Sequence, residues 1–217
     1  MNTNISFNPH PAAHVAEVSD DVVVLRNPHS SRAADLRRLA QTLALRWFGG
    51  DDRHRALAVI SPDRYEGRST VAANLACLFA TGGVPTLLID ADMQNPTLHL
   101  KFGSMTSQPA PIGGQRIRGL DSLTVVPAAD LLKVEQTPLI HSPLQSLIER
   151  RRAEFDAIFV DTGAAAMSND YQVAALAAGG ALLVTRDGVT RARRASRMLD
   201  SCDDAGLSIV GGIMLTR

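Results

Sequence analysis

The sequence contains very little lysine and very little cysteine. Among 22 basic residues in a chain of 217, only Lys101 and Lys133 are lysines, so arginine carries nearly all of the positive charge. The two cysteines, Cys77 and Cys202, are too few for a disulfide framework, and no metal-ligand spacing surrounds them. Both fall at apolar positions of helical patterns, so we expect two buried, unreactive thiols.

A long apolar segment is also missing. The longest run, residues 173–184, is interrupted by Gly179-Gly180 and is too short to cross a bilayer. The N-terminus has neither a basic start nor an apolar stretch, which argues against a secretory signal. Acidic and basic residues balance at 22 each, which excludes a global attraction to nucleic acid or to an anionic membrane. We therefore expect a cytoplasmic protein without nucleic-acid partners, associated with a membrane only through another protein.

The alternation of apolar runs and helical patterns predicts the fold class. Such alternation indicates βαβ units, and therefore an α/β fold of three layers around a mostly parallel central sheet. Residues 1–19 are polar and lack periodicity, so we predict a flexible arm followed by one domain at 20–217.

Several local features are predicted as well. We expect a strand at 21–25, an amphipathic helix over 31–47 that is capped by Ser30 or Ser31, an irregular loop over 103–120, and a last helix that begins at Thr190 and buries Ala195, Leu199 and Cys202.

The segment 61–70, SPDRYEGRST, has the layout of a phosphate-binding loop. It lies between an apolar run at 56–60 and a helical pattern at 71–80. The first N–H groups of such a helix have no partner within the helix, so they can bind phosphate oxygens. The candidate phosphate-binding residues are consecutive: Glu66, Gly67, Arg68, Ser69 and Thr70. A Ser69 hydroxyl could also ligate Mg²⁺.

Acidic residues follow two of the predicted buried strands. Asp90 and Asp92 come after the apolar run 86–89, and Asp161 follows the run 155–160. Open α/β sheets bind ligands at the carboxyl ends of their strands. An aspartate at the end of a strand well downstream of a phosphate-binding loop is the Walker B signature, which orients a Mg²⁺ shell or the attacking nucleophile. The sequence therefore predicts a nucleotide and Mg²⁺ site, although an aspartate at a strand end can also simply form a turn.

Three segments resemble the bacterial tyrosine kinases of the polysaccharide co-polymerase system, within the MinD/ParA-like P-loop superfamily. TLLIDADMQNPTLHLKF at 86–102 resembles the Walker A′ motif of that family, EGRST at 66–70 its Walker A loop, and FDAIFVDT at 155–162 its Walker B segment. The resemblance extends over roughly residues 20–217.

The resemblance implies a cofactor, roles and partners. ATP or ADP would bind with Mg²⁺, and Ser69, Asp92 and Asp161 would hold the metal. Asp90 would act on the acceptor hydroxyl, with Asp92 beside it in the catalytic group. The partner would be a membrane-embedded co-polymerase that controls capsule or exopolysaccharide assembly, and the 31–47 helix would form homo-oligomers.

The sequence also departs from the family pattern. Arg68 stands where the loop has lysine, and Tyr65 stands where glycine is usual. Gly163-Ala164 replaces a Pro-Pro pair, and the oligomerisation motif is matched only as Asp35-x-x-Arg38-x-x-Gln41-Thr42. The sequence ends at Arg217 without the tyrosine cluster of the family, so we expect no autophosphorylation on a tail.

Arg68 decides which function we expect. A guanidinium is wider and more rigidly planar than an ammonium, so this exchange is not conservative, and misplaced phosphates slow transfer. We expect a kinase-like regulator of exopolysaccharide synthesis, a pseudokinase that responds to nucleotide while its activity is weak or absent. The alternatives are an active tyrosine kinase or ATPase that tolerates Arg68, a positioning ATPase of the MinD/ParA type, and a scaffold that binds no nucleotide. The positioning ATPases carry an extra lysine near the loop start, and this sequence has no lysine before Lys101.

Overall fold

The computed structural model describes residues 7, 18–49, 54–103, 106–109, 114–131 and 143–216. The helices are α1 (Val23–Arg26), α2 (Ser31–Leu43, continued by a π-helical turn over Ala44–Phe48), α3 (Arg68–Thr81), α4 (Leu98–Phe102), α5 (Ala128–Leu131), α6 (Pro143–Arg151), α7 (Asp170–Ala178) and α8 (Ala192–Asp204). The strands are β1 (Ala56–Ile60), β2 (Thr86–Asp90), β3 (Thr106–Pro109), β4 (Gln115–Ile117), β5 (Leu120–Val126), β6 (Ala157–Asp161), β7 (Ala181–Arg186) and β8 (Ile209–Leu215).

The strands form one mixed sheet in the order β3-β4-β5-β2-β6-β1-β7-β8. The strands from β5 to β8 in that order pair in parallel, and β3 and β4 add an antiparallel edge beside β5. The predicted α/β fold with a mostly parallel sheet is therefore confirmed. Because β1, β2 and β6 are adjacent, the loops that follow them lie together at one edge of the sheet.

Alternate residues of each central strand enter two separate cores. In β1, Leu57 and Val59 pack with α2 and α3, while Ala58 and Ile60 pack with α6, α7 and α8 on the other face. A strand buried on both faces has no polar side, which explains the continuous apolar runs of the sequence. The helices on both faces complete the three predicted layers.

Aromatic rings connect the N-terminal part of the chain to the core that contains Leu57 and Val59. Phe79 lies edge-to-face against Phe7, Phe48 and Phe159, with ring centroids 5.0–5.3 Å apart. Phe7 and Val18 are both buried, so these two residues of the predicted arm contribute to the core. The rest of residues 1–17 lies outside the described part of the chain, and the domain boundary stays a prediction.

Two secondary-structure predictions were wrong. The apolar run at 21–25 is not a strand but forms α1, because buried Asn74 accepts the Val24 N–H (3.1 Å) and donates to the Asp21 carbonyl (2.8 Å). Within 103–120, the predicted irregular loop contains β3 and β4, which pair along the edge of β5. The partner that determines α1 lies 50 residues away in the sequence, whereas β4 and β5 are neighbours in the sequence and pair across a short turn.

The last helix was also predicted inaccurately, whereas the start of α2 was predicted well. The Thr190 hydroxyl accepts the Arg186 N–H (2.8 Å) instead of capping α8, whose N-cap is Arg191. Met198 is buried in α8, and Leu199 is 38% exposed rather than buried. Ser30 caps α2, as one of the two predicted alternatives, by accepting the Ala33 N–H at 3.2 Å.

Two further predictions concern buried thiols and membrane spans. Cys77 and Cys202 are free and buried, as predicted, and burial raises the pKa of each thiol. Within the described residues, every helix is too short or too polar to span a membrane.

Candidate nucleotide site

The loop over residues 61–67 leads from β1 into α3 and turns at Gly67. Gly67 has φ +95°, and a Cβ built there would lie 2.5 Å from Leu215 Cδ1, so only glycine fits without displacing that side chain. Tyr65 has φ +62° although it is not a glycine, and its side chain is 81% exposed. Tyr65 thus holds a left-handed backbone that glycine would adopt without strain.

The Glu66 carboxylate holds the loop together from inside. Its Oε2 accepts the Asp63 N–H at 2.7 Å, and its Oε1 accepts the Thr190 hydroxyl at 2.5 Å. The residue is fully buried. The Glu66 side chain therefore braces the loop against the start of α8, while a phosphate would be bound through backbone N–H groups.

The Arg68 guanidinium is held by oxygen atoms of the protein itself. Nε donates to the Thr162 carbonyl (2.9 Å), and Nη1 donates to Ser61 Oγ (2.6 Å) and to the Asp63 carbonyl (2.9 Å). Nη2 lies 3.7 Å from Asp92 Oδ2, and the residue is only 7% exposed. Arg68 thus ties the start of the loop to the end of β6. To reach a phosphate it would have to give up several charge-assisted hydrogen bonds.

Asp90 and Asp161 lie side by side at the ends of neighbouring strands. They are register partners in the parallel pair of β2 and β6, and both are fully buried. Burial raises the pKa of Asp161 to about 7 and that of Asp90 to about 6, and the repulsion between carboxylates adds to both rises. Two buried carboxyls with raised pKa values at one point indicate a candidate functional site.

Among the residues that the structure describes, neither carboxylate oxygen of Asp161 has a hydrogen-bond partner. The Ser69 hydroxyl lies near enough to lower the pKa of Asp161 slightly without completing a hydrogen bond of good geometry. A buried, unpaired carboxylate is costly, and a structure retains it when something else satisfies it. The Asp161 carboxylate is therefore suited to binding a cation or an ordered water.

The donors around Asp161 fit Mg²⁺. They are carboxylate and hydroxyl oxygens, the ligands that Mg²⁺ prefers. Among the described residues, however, no group of three or more His, Cys, Asp or Glu side chains could hold a metal without other ligands. In nucleotide sites Mg²⁺ takes one or two carboxylates and completes its shell with water and phosphate oxygens.

The other predicted site residues lie near this pair but differ in the hydrogen bonds that they make within the protein. Asp92 is 9% exposed, and its Oδ1 accepts the Asn95 N–H at 3.0 Å. Ser69 Oγ accepts the Thr97 hydroxyl at 3.3 Å. Asp90 accepts the Asp92 N–H and the Leu98 N–H, both at 3.2 Å. The structure thus brings Ser69, Asp90, Asp92 and Asp161 together at one edge of the sheet, although their predicted roles stay predictions.

A cluster beside the loop was missed in the sequence. Asp21 Oδ2 accepts the Thr70 hydroxyl at 2.8 Å, and it also accepts the Lys101 ammonium. Asp21 and Thr70 line a groove of about 600 Å³ that also includes Gly67. The scarcity of lysine was the signal that could have drawn attention to Lys101.

The comparisons with known proteins agree with this geometry. No family model matches the chain. EpsB of Ralstonia nicotianae is 32% identical over 173 residues, which are 74% of this chain and 22% of EpsB. The succinoglycan biosynthesis transport protein ExoP of Rhizobium meliloti is 32% identical over 209 residues, which are 88% of this chain and 26% of ExoP. The tyrosine-protein kinase YwqD of Bacillus subtilis is 26% identical over 208 residues, or 89% of this chain and 85% of YwqD.

The chain belongs to the bacterial tyrosine kinase family. It spans about a quarter or less of the length of EpsB and ExoP. As a member of the bacterial tyrosine kinase family, it shares its fold with the kinase domain of Escherichia coli tyrosine kinase ETK. Their TM-score is 0.71 at 21% identity, over 90% of this chain and 80% of that domain. The cell division ATPase MinD of Pyrococcus furiosus has a TM-score of 0.59 at 24% identity, over 74% of this chain and 71% of MinD.

Proposed function

We propose that this protein is a kinase-like regulator of exopolysaccharide or capsule synthesis, cytoplasmic and associated with a membrane co-polymerase. It binds ATP or ADP with Mg²⁺ and transfers phosphate slowly or not at all. The observation that carries the nucleotide proposal is the unpaired Asp161 carboxylate, buried at the strand end next to the P-loop helix. Ser69, Asp92 and Asp161 would hold Mg²⁺, and the backbone from Glu66 to Thr70 would hold phosphate.

The contacts of Arg68 support weak transfer. Phosphoryl transfer depends almost entirely on positioning and on charge stabilisation at the transferred group. In this protein the cation of the loop is bound to Ser61, Asp63 and Thr162, and its Nη2 faces Asp92. A cation held by the protein contributes little to the charge that develops on the γ-phosphoryl group. Mg²⁺, when bound, would neutralise part of that charge. The residues of this chain would contribute by holding the phosphates in position.

The biological setting is proposed from the relatives. ExoP is named for succinoglycan biosynthesis and transport, and YwqD is named a tyrosine-protein kinase. Deletion of the protein in its host should change the amount or the chain length of the exopolysaccharide, and an unchanged polymer would contradict this setting.

We propose that the 31–47 helix forms homo-oligomers. Its Arg38 is paired within the helix to Asp35, and its Arg37 donates to the Pro28 carbonyl at 2.7 Å.

Titration of the purified protein with a fluorescent ADP analogue tests the nucleotide proposal. We expect saturable binding that requires Mg²⁺, because Asp161 needs a cation beside the phosphates. Asp161→Asn should remove the dependence on Mg²⁺ while the protein stays folded. Absence of binding at millimolar nucleotide would refute the proposal and leave a scaffold without nucleotide.

A further inference from the structure

The ammonium group of Lys101 lies at the first turn of the P-loop helix. Its Nζ donates to Thr70 Oγ1 at 3.3 Å and to Asp21 Oδ2. The short helix that carries it, α4, is anchored by buried Leu98 and Phe102, and the Leu98 N–H binds Asp90 Oδ2 at 3.2 Å. The same carboxylate that belongs to the candidate site therefore fixes the segment that presents this lysine.

The surroundings of Lys101 leave one of its donors for an anion. An ammonium has three N–H donors and no acceptor, and the described structure pairs two of them, with Thr70 and with Asp21. The side chain is 16% exposed, so it is largely but not completely removed from water. Both of its partners line the groove of about 600 Å³ that borders Gly67. A ligand in this groove would meet the start of α3, Thr70 and Asp21, and the ammonium lies directly behind the last two because it donates to both.

We propose that Lys101 supplies the phosphate-binding ammonium that position 68 of the loop no longer provides, with Asp21 as its resident counter-ion. This inference rests on the nucleotide binding proposed above. Arg68 cannot fill the role without releasing Ser61, Asp63 and Thr162. Lys101 contacts Thr70, in the helix, rather than the start of the loop. Its charge therefore supports the binding of nucleotide more than the transfer of a terminal phosphate.

The charge of Asp21 distinguishes this proposal from a purely structural ion pair, because it predicts in which direction nucleotide affinity changes when each partner is removed. Although burial opposes it, hydrogen bonds from Lys101, Ser19 and Thr70 hold the pKa of Asp21 below its ordinary value, so the group is a carboxylate at neutral pH. Its Oδ1 is buried and has no hydrogen-bond partner within the described part of the chain. A carboxylate in this place neutralises the ammonium and repels an incoming phosphate. Removal of the Asp21 charge should therefore tighten nucleotide binding, whereas removal of Lys101 should weaken it.

Binding of mant-ADP with Mg²⁺ to the full chain tests these opposite signs. Lys101→Met should weaken binding about 10- to 100-fold, as expected for the loss of a charged hydrogen bond. Lys101→Arg should restore most of the affinity, and Asp21→Asn should tighten binding severalfold. Adenosine, which has no phosphate, should compete equally well with mant-ADP on the wild type and on Lys101→Met. Melting temperatures of all four proteins verify that each is folded.

The possible outcomes separate this inference from the nucleotide proposal. If Lys101→Met and Asp21→Asn weaken binding alike, the pair only ties the N-terminal segment to α4, and the inference is overturned while nucleotide binding stands. An affinity that does not change in Lys101→Met overturns it equally. If the wild type binds no mant-ADP at millimolar concentration, both the nucleotide proposal and this inference fail.

Discussion

Replacement of Asp161 by asparagine should stabilise the protein in the absence of Mg²⁺. Burial raises the pKa of this carboxyl from 3.8 to about 7, and both of its oxygens lack hydrogen bonds. A shift of that size corresponds to about 4 kcal/mol of unfavourable interaction for the ionised form. Asparagine has nearly the same shape and no charge, although its own burial returns part of the gain. We expect a net stabilisation of about 1–3 kcal/mol at pH 8.

The dependence on pH distinguishes this effect from a general packing change. Because the folded pKa lies above the unfolded value, the protonated form stabilises the fold fully below about pH 4, and that stability is lost as the pH rises to about 7. Asp161→Asn should therefore gain stability at pH 8 and gain almost none at pH 4. Because the pKa of Asp90 is also raised, to about 6, part of the change of stability with pH should remain in the variant.

Thermal unfolding in EDTA at the two pH values measures the difference. A gain of 1–3 kcal/mol corresponds to roughly 3–9 °C in Tm for a domain of this size. Addition of Mg²⁺ at pH 8 should raise the Tm of the wild type more than that of the variant, because the cation satisfies the carboxylate. A variant that is destabilised at pH 8 as much as at pH 4 would refute the reasoning that Asp161 is an unpaired buried charge.

Two further substitutions test the local structure around the loop and α1. Tyr65→Gly should be more stable than Tyr65→Ala by about 1 kcal/mol, because only glycine relieves the strain at φ +62°. Equal stabilities of the two variants in urea unfolding would show that the loop is not strained. Asn74→Ala should cost about 2–4 kcal/mol, because it leaves the Val24 N–H and the Asp21 carbonyl without partners in a buried place; a loss below about 1 kcal/mol by urea unfolding would mean that α1 does not depend on these bonds.

The central strands and the acidic residues at their ends could be predicted from the sequence. Strands buried on both faces are continuously apolar, and β2 and β6 have this pattern before Asp90 and Asp161. A single glycine between such a strand and a helix was enough to place the loop. These features depend on residues that are adjacent in the sequence, so local physics determines them.

The error at 21–25 came from a contact between distant residues. Nothing near 21–25 in the sequence shows that Asn74, about fifty positions later, will pair with the backbone of this segment and turn it into a helix. A distant contact also shapes the site, where the Thr162 carbonyl lies 94 residues from its donor Arg68. The short strands β3 and β4 are different, because β3 pairs with β4 and β4 pairs with β5 across a short turn, and their sequence has no apolar alternation that indicates strands. The sequence showed that Arg68 was unusual but could not show which atoms hold it.

The most direct measurement of the central claim compares phosphate release from ATP by the wild type and by Arg68→Lys under single-turnover conditions. A lysine cannot reproduce the forked contacts of Arg68 with Ser61, Asp63 and Thr162, so its ammonium should be available to the phosphates. We expect Arg68→Lys to release phosphate on the order of a hundredfold faster than the wild type, while the two proteins bind Mg-ADP with affinities within a few fold. A wild type that turns over at least as fast as Arg68→Lys would contradict the claim that Arg68 impairs transfer.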